Sequence, residues 1–245
     1  LTDALLRKLG SFCPFNPKDA ALLAGITVDH HTVGAHEDII REGEVPRDVH
    51  LITSGFAIRY KNLADGTRQI FAYLLPGDFC DLHVFILDKM DHGIATLSPC
   101  SVVDIPRDTI LRLTERPAIA RALWWATLVD ESTLREALVN IGRRRAEERV
   151  GHFLCELLVR LEVVGLVSDN RFELPLTQAE LADTMGLSTV HINRVLQFLR
   201  GQKFITFDRK SLAVLDVDGL KRFSGFDPNY LHLAPYRTKP VMTPS

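Results

Sequence analysis

Two groups of side chains in this 245-residue chain have types and spacing that could do chemistry. The first lies in "PGDFCDLHVFILDKMDHG", residues 76–93, where Cys80 and His83 stand three apart, Asp78 and Asp81 flank Cys80, and His92 follows. A Cys–His pair could act as nucleophile and base or as metal ligands, and two carboxylates could share acid–base work. Neither pair has a third orienting group recognisable in the sequence. The chain also carries no phosphate loop, zinc signature or nucleophile elbow. An enzyme is therefore not expected. Gly77, Asp78, Cys80, Asp81, His83 and His92 are kept as a possible effector pocket.

The second group lies in "LTQAELADTMGLSTVHINRVLQFLRGQKFI", residues 176–205. Thr177 with Glu180 three residues on is a capping box that starts a first helix. Leu181, Ala182 and Met185 form its inner face, and Gly186 supplies the conformational freedom of a sharp turn. Ser188 caps a second helix whose buried stripe is Ile192, Val195, Leu196 and Leu199. Thr189, Val190, His191, Asn193, Arg194 and Gln197 fall outside that stripe. Arginine pairs bidentately with guanine, asparagine with adenine, and a valine methyl can touch the thymine methyl. The N-terminal residues of the second helix in a helix-turn-helix are those that enter the major groove. Thr177, Gln178, Arg200, Lys203, Arg209 and Lys210 flank it as further DNA contacts, the basic ones suited to phosphates. His191 suits a phosphate contact or packing on the first helix equally.

Bulk composition restricts the options further. With 46% apolar and 24% charged residues the chain reads as globular. Its formal charge of −2 requires any nucleic-acid surface to be a local patch. Apolar runs such as "ALWWATLV" fall short of a membrane span, so no membrane partner is expected. The first residues lack the order of a secretory signal, and Cys13, Cys80, Cys100 and Cys155 are scattered without a CxxC. That pattern suits a reducing cytoplasm. The chain opens at Leu1 rather than Met, so preceding sequence is expected.

The elements that must carry these groups change period along the chain. From Gly34 to Ile105 short β-branched and aromatic runs ("VHLITSG", "FAIRYKN", "RQIFAYLL", "SVVDIP") alternate with glycine turns, and Asp65-Gly66 marks a hairpin. Strands in this rhythm predict a small sandwich or jelly-roll barrel. From about Ala118 to Gly142 the period is helical. One stripe is Leu123, Thr127, Leu134, Ala137 and Ile141; a second is Trp124, Leu128, Arg135 and Leu138. Such a helix must bury two sides, one against the barrel and the other in the same core or against a second copy. The charge cluster "GRRRAEERV", residues 142–150, is read as a joint, followed by an amphipathic helix from Gly151. Residues 204–215 form a hairpin with its tip at Asp208-Arg209-Lys210, and the tail from Phe226 is expected to be loosely ordered.

The 176–205 stretch resembles the winged helix-turn-helix of the Crp/Fnr family of bacterial transcription regulators. "IIREGEVPRDVHLITSGFAIRYKNLADGTRQIFAYLLPGDF" resembles that family's cyclic-nucleotide-binding-like domain. The resemblance implies an α+β chain in four parts: a β jelly-roll effector or sensor barrel over 1–117, a central dimerisation helix over 118–142, a winged helix-turn-helix DNA-binding domain over 143–225, and a tail over 226–245. It implies a homodimer on a palindromic double-stranded DNA operator, held through Leu123, Thr127, Leu134, Ala137 and Ile141, with RNA polymerase as a further partner. Three departures bear on the effector. Cys80-Asp81-Leu82 stands where nucleotide-binding members carry Gly-Glu, and no arginine occurs between Gly77 and Cys100, while Asp78, Asp81, Asp88 and Asp91 would repel a phosphate. Cyclic AMP is thus not the expected effector; another small molecule, or none, is. The single N-terminal Cys13 cannot supply an iron–sulfur cluster. Haem or another metal at Cys80, His83 and His92 is the remaining cofactor alternative, and a protein-interaction module is the alternative from another class. In the reading helix Val190 replaces the family's glutamate, whereas Arg194 is retained.

Overall fold

The computed structural model describes residues 2–82, 86 and 89–233. Helices α1 (Thr2–Phe12) and α2 (Pro17–Gly25) precede seven strands: β1 (His31–Val33), β2 (Asp38–Ile40), β3 (Asp48–Ser54), β4 (Ala57–Asn62), β5 (Arg68–Leu74), β6 (Gly93–Thr96) and β7 (Cys100–Pro106). They pair antiparallel into two facing sheets, ordered β1-β7-β3 and β2-β6-β4-β5. This is the expected sandwich. Adjacent residues serve opposite faces, as the strand period of two requires. On β3, Ile52 faces the interior with Ile40, Ile94 and Val102, whereas Leu51 faces outward onto helices with Val49, Val103 and Ile105. The Asp65-Gly66 hairpin joins β4 to β5, with Gly66 at φ 84° and the Asp65 carboxylate accepting from Thr67 N at 2.9 Å.

After α3 (Arg107–Thr114) comes α4 (Pro117–Arg143), with proline at its first turn where no amide partner is lost. Ile119, Ala122, Leu123 and Ala126 pack against Leu5, Leu9, Ile110 and Leu113 in one helical core. Leu123 is therefore not an interface residue as the sequence pattern suggested: the stripe that α4 needs to cover the barrel claims it. The second stripe points outward, with Trp124 76% exposed, Leu128 55% and Leu138 73%. Thr127, Leu134 and Ile141 remain exposed beside it, and Ala137 is half-buried.

Helix α5 (Ala146–Val163) starts earlier than the sequence reading placed it. Only Arg144 and Arg145 are extended, because Glu147 and Glu148 favour a helix N-terminus and the Glu148 carboxylate accepts from Arg145 N at 3.1 Å. Then follow β8 (Arg171–Glu173), α6 (Gln178–Met185), α7 (Thr189–Gly201), β9 (Ile205–Asp208), β10 (Ser211–Val214) and α8 (Val217–Ser224), with a small sheet ordered β8-β10-β9. One core joins α5, α6, α7 and this sheet to Ile58, Ile70 and Tyr73 of β4 and β5.

The tail reading fails over its first residues. Phe226, Tyr230 and Leu231 are buried; Tyr230 Oη donates to Glu156 at 2.8 Å, and Ser132 Oγ of α4 donates to Tyr230 O at 2.7 Å. Three large apolar groups without helical or strand period still find a core when a distant surface offers one. Residues 234–245 lie outside the described residues, as do His83 and Asp88.

Candidate nucleic-acid interface

Local chemistry builds the two helices of the interface. Thr177 Oγ1 accepts from Glu180 N at 3.1 Å while the Glu180 carboxylate accepts from Thr177 N at 2.7 Å, closing the capping box. Gly186 ends α6 at φ 62°, a conformation that costs a side-chain-bearing residue about 1 kcal/mol or more. Ser188 Oγ accepts from His191 N at 3.2 Å and starts α7. Ile192, Val195, Leu196 and Leu199 are buried, and full burial of each such side chain stabilises by about 1.5–3 kcal/mol. That stripe fixes the rotation of α7. Val190 is consequently 62% exposed, and Thr189, His191, Arg194 and Gln197 are exposed beside it.

The flanking cations surround this face. Arg200, at the end of α7, lies over the Phe207 ring at 5.8 Å. Lys203 is exposed at φ 59° where the chain leaves α7 for β9. Arg209 and Lys210 occupy the tip between β9 and β10, Arg209 at φ 55°. Every residue named from the sequence as a DNA contact lies on the α6–α7–hairpin unit or at its edges. Two of them are partly committed: the Thr177 and Ser188 hydroxyls serve as caps. His191 is exposed. Asn193 is half-buried, and its Nδ2 donates to Gln178 Oε1 at 3.4 Å. Sequence spacing alone did not reveal that contact, because it crosses the angle between two helices.

The described members of the possible effector pocket do not line one common cavity. Gly77 sits at φ 93° against α1, where an added Cβ would lie 2.9 Å from Ala4 O. Asp78 is buried in ion pairs with Lys8 and with Arg160 of α5, the latter at 2.8 Å. Burial alone would raise the Asp78 pKa; Lys8 and Arg160 outweigh it and hold the group below its ordinary value. Asp81 is fully buried and accepts from His50 N at 2.7 Å, with His50 Nδ1 at 2.6 Å. Burial pushes the Cys80 thiol well up, and the Asp81 charge adds to this. Asp78 lines one cavity with Lys8 and Arg160, whereas His92 lines a different cleft, of about 480 Å³ between the barrel and α4. That cleft also holds Asp91, Asp130 and Glu131. The carboxylates expected to repel a ligand are therefore partnered inside the fold, Asp78 by cations from α1 and α5 and Asp81 by the His50 ring of β3.

One residue of this region went unnoticed in the sequence. Arg59 of β4 donates from Nε to Cys80 O at 3.0 Å and from Nη2 to Phe79 O at 3.1 Å and Asp130 at 3.0 Å. Strand alternation could have found it: Ala57 and Arg59 share the inward face. Three of the Arg59 N–H donors are so engaged, and three acidic side chains share the cleft with Lys61, so the lining weighs against an anionic phosphate.

Known proteins accord with this geometry. Residues 148–223 match the Crp-like helix-turn-helix domain, and residues 30–116 the cyclic nucleotide-binding domain. The transcriptional activatory protein AadR of Rhodopseudomonas palustris is 31% identical over 198 residues, covering 79% of each chain. The nitrogen fixation regulation protein FixK of Azorhizobium caulinodans is 28% identical over 189 residues, covering 76% of this chain and 75% of that protein. The solved structure of FixK2 from Bradyrhizobium japonicum superposes with a TM-score of 0.72 at 25% identity, covering 80% of this chain and 96% of that one. A barrel of this topology, a long α4 and a helix-turn-helix with its reading face outward, matched in both halves and in a relative of known class, make this chain a member of the Crp/Fnr family of DNA-binding transcription regulators.

Proposed function

We propose that the chain works as a homodimer on a two-fold symmetric operator, each copy laying α7 in the major groove of one half-site. It controls transcription initiation from there in the cytoplasm, with RNA polymerase as its further partner. The observation that supports this most directly is the rotation of α7, whose buried stripe leaves Val190, Asn193 and Arg194 toward solvent at its N-terminal half. The outward stripe of α4, with Trp124, Leu128 and Leu138, supports the dimer, and Thr127, Leu134 and Ile141 border it. Half-site centres are then about 34–36 Å apart. In this reading the chain divides into a sensor barrel over 1–117, a dimer helix over 118–142, a DNA-binding unit over 143–225 and a tail over 226–245.

The effector in this reading is a molecule other than cyclic AMP, or there is none. Arg59 gives three of its N–H donors to Asp130 and two carbonyls, and the cleft beside it sets three carboxylates against Lys61. Cys80 is fully buried, which weighs against haem or metal ligation there. Among the described residues no group of three or more candidate ligands converges, and no helix is long and apolar enough to cross a membrane.

The test is selection of bound duplexes from a random pool, followed by mobility shifts at two salt concentrations. A palindromic site bound with a steep salt dependence is the expected result. A protein-interaction module would select nothing. A calorimetric titration with cyclic AMP should show no binding at micromolar concentration.

A further inference from the structure

Asn193 on α7 and Gln178 at the start of α6 touch amide to amide, Nδ2 donating to Oε1 at 3.4 Å. We propose that Gln178 is a specificity-determining residue that orients the Asn193 amide toward adenine, an inference that rests on α7 being the DNA-reading helix. Both residues stand on backbone that the fold holds. Gln178 follows directly on the Thr177–Glu180 capping box, whose three hydrogen bonds fix the first turn of α6, with Glu180 buried. Asn193 is half-buried next to Ile192, which is fully buried, and lies one turn after the exposed Val190.

The donor and acceptor inventory gives the contact its meaning. An asparagine amide has two N–H donors and one carbonyl acceptor. With one N–H committed to Gln178, one N–H and the carbonyl Oδ1 remain. That donor–acceptor pair complements the N7 acceptor and N6 donor of adenine, whereas guanine offers two acceptors, N7 and O6. An unheld amide turns about its last torsion and presents either edge. With its carbonyl toward the Asn193 nitrogen, Gln178 holds that edge of the amide in place. Being uncharged, it adds nothing to the counterion release that phosphate-binding cations supply.

The experiment measures affinity of the full chain for its selected site and all single-base variants of it, with Asn193→Ala, Gln178→Ala, Gln178→Glu and the double alanine variant. Asn193→Ala should abolish an adenine preference at one base pair per half-site. Gln178→Ala should reduce the adenine-over-guanine preference at that same pair by about tenfold, within what one bidentate contact contributes. The salt slope should not change. In the Asn193→Ala background, Gln178→Ala should have no further effect on base preference. Gln178→Glu keeps the acceptor oxygen, so the adenine preference should survive while its charge weakens binding to all sequences alike.

A uniform loss of affinity in Gln178→Ala, with the preference intact, would make Gln178 a backbone contact and overturn the proposal. If Asn193→Ala alters no preference while Arg194→Ala does, α7 still reads DNA and the role of Gln178 falls alone. If the wild-type chain selects no sequence, both fall.

Discussion

Asp78, in the turn after β5, and Arg160, on α5, meet at 2.8 Å although 82 residues separate them. Lys8 of α1 completes the group, so one carboxylate ties the N-terminal helix, the barrel and the first helix of the DNA-binding half. Asp78→Asn leaves two cations around a neutral amide and should destabilise the chain by about 3–5 kcal/mol, read from urea unfolding. The pH dependence has a definite sign. The folded pKa of Asp78 lies below its ordinary 3.8, because Lys8 and Arg160 outweigh burial. Its stabilisation is therefore whole above that value and is lost as pH falls through the depressed one. Asp78→Asn should flatten this acid limb.

His152 of α5 gives a second pH-dependent contribution in a milder range. Its ring lies edge-on to Phe226 at 5.1 Å and stacks on Tyr230 at 5.9 Å. Burial, helped by the Arg144 guanidinium and opposed by Glu136, pushes its pKa down from 6.5 to about 4. The unfolded chain takes up a proton below 6.5 that the folded chain refuses. Stability should be complete above about 6.5 and decline by roughly 2–3 kcal/mol toward about 4. Urea midpoints at about pH 7.5 and about pH 5 measure it. His152→Gln should remove the difference; a wild type more stable at the lower pH would mean that His152 is charged and paired with Glu136.

The outward stripe of α4 predicts the oligomer. Trp124→Glu or Leu128→Asp places a charge on an exposed position and should leave the melting temperature of the monomer fold nearly unchanged. Sedimentation should show a monomer at micromolar concentration. Operator affinity should fall by about 100-fold or more, as two linked half-sites become independent. A dimer that persists in both variants places the interface elsewhere.

Base reading separates from phosphate binding by its signature. Arg194→Ala should cost about 1–3 kcal/mol on the selected site and relax preference at one base pair per half-site. Lys203→Gln or Arg209→Gln should weaken all sequences alike and lower the salt slope by about one for each phosphate left without its cation. Affinities against single-base variants at several salt concentrations decide between them. A uniform loss in Arg194→Ala would make it a phosphate clamp and pass the reading role to Val190 and Asn193.

What the sequence by itself determined was whatever depends on residues within a turn or two of each other. The Thr177–Glu180 box, the left-handed Gly186, the buried stripe of α7, the Asp65-Gly66 hairpin and the period-two strands were all legible, because their partners are near neighbours along the chain. Tertiary structure alone decided the rest. Helix α4 has two apolar stripes, and only the position of α1 and α3 sends Leu123 inward and Trp124 outward. Asp78 and Asp81 look like exposed charges until Lys8, Arg160 and His50 arrive from distant segments to bury them. Phe226, Tyr230 and Leu231 follow no period, yet they are buried where α4 and α5 leave a groove. Local periodicity says which residues share a face; only packing between remote segments says what covers it.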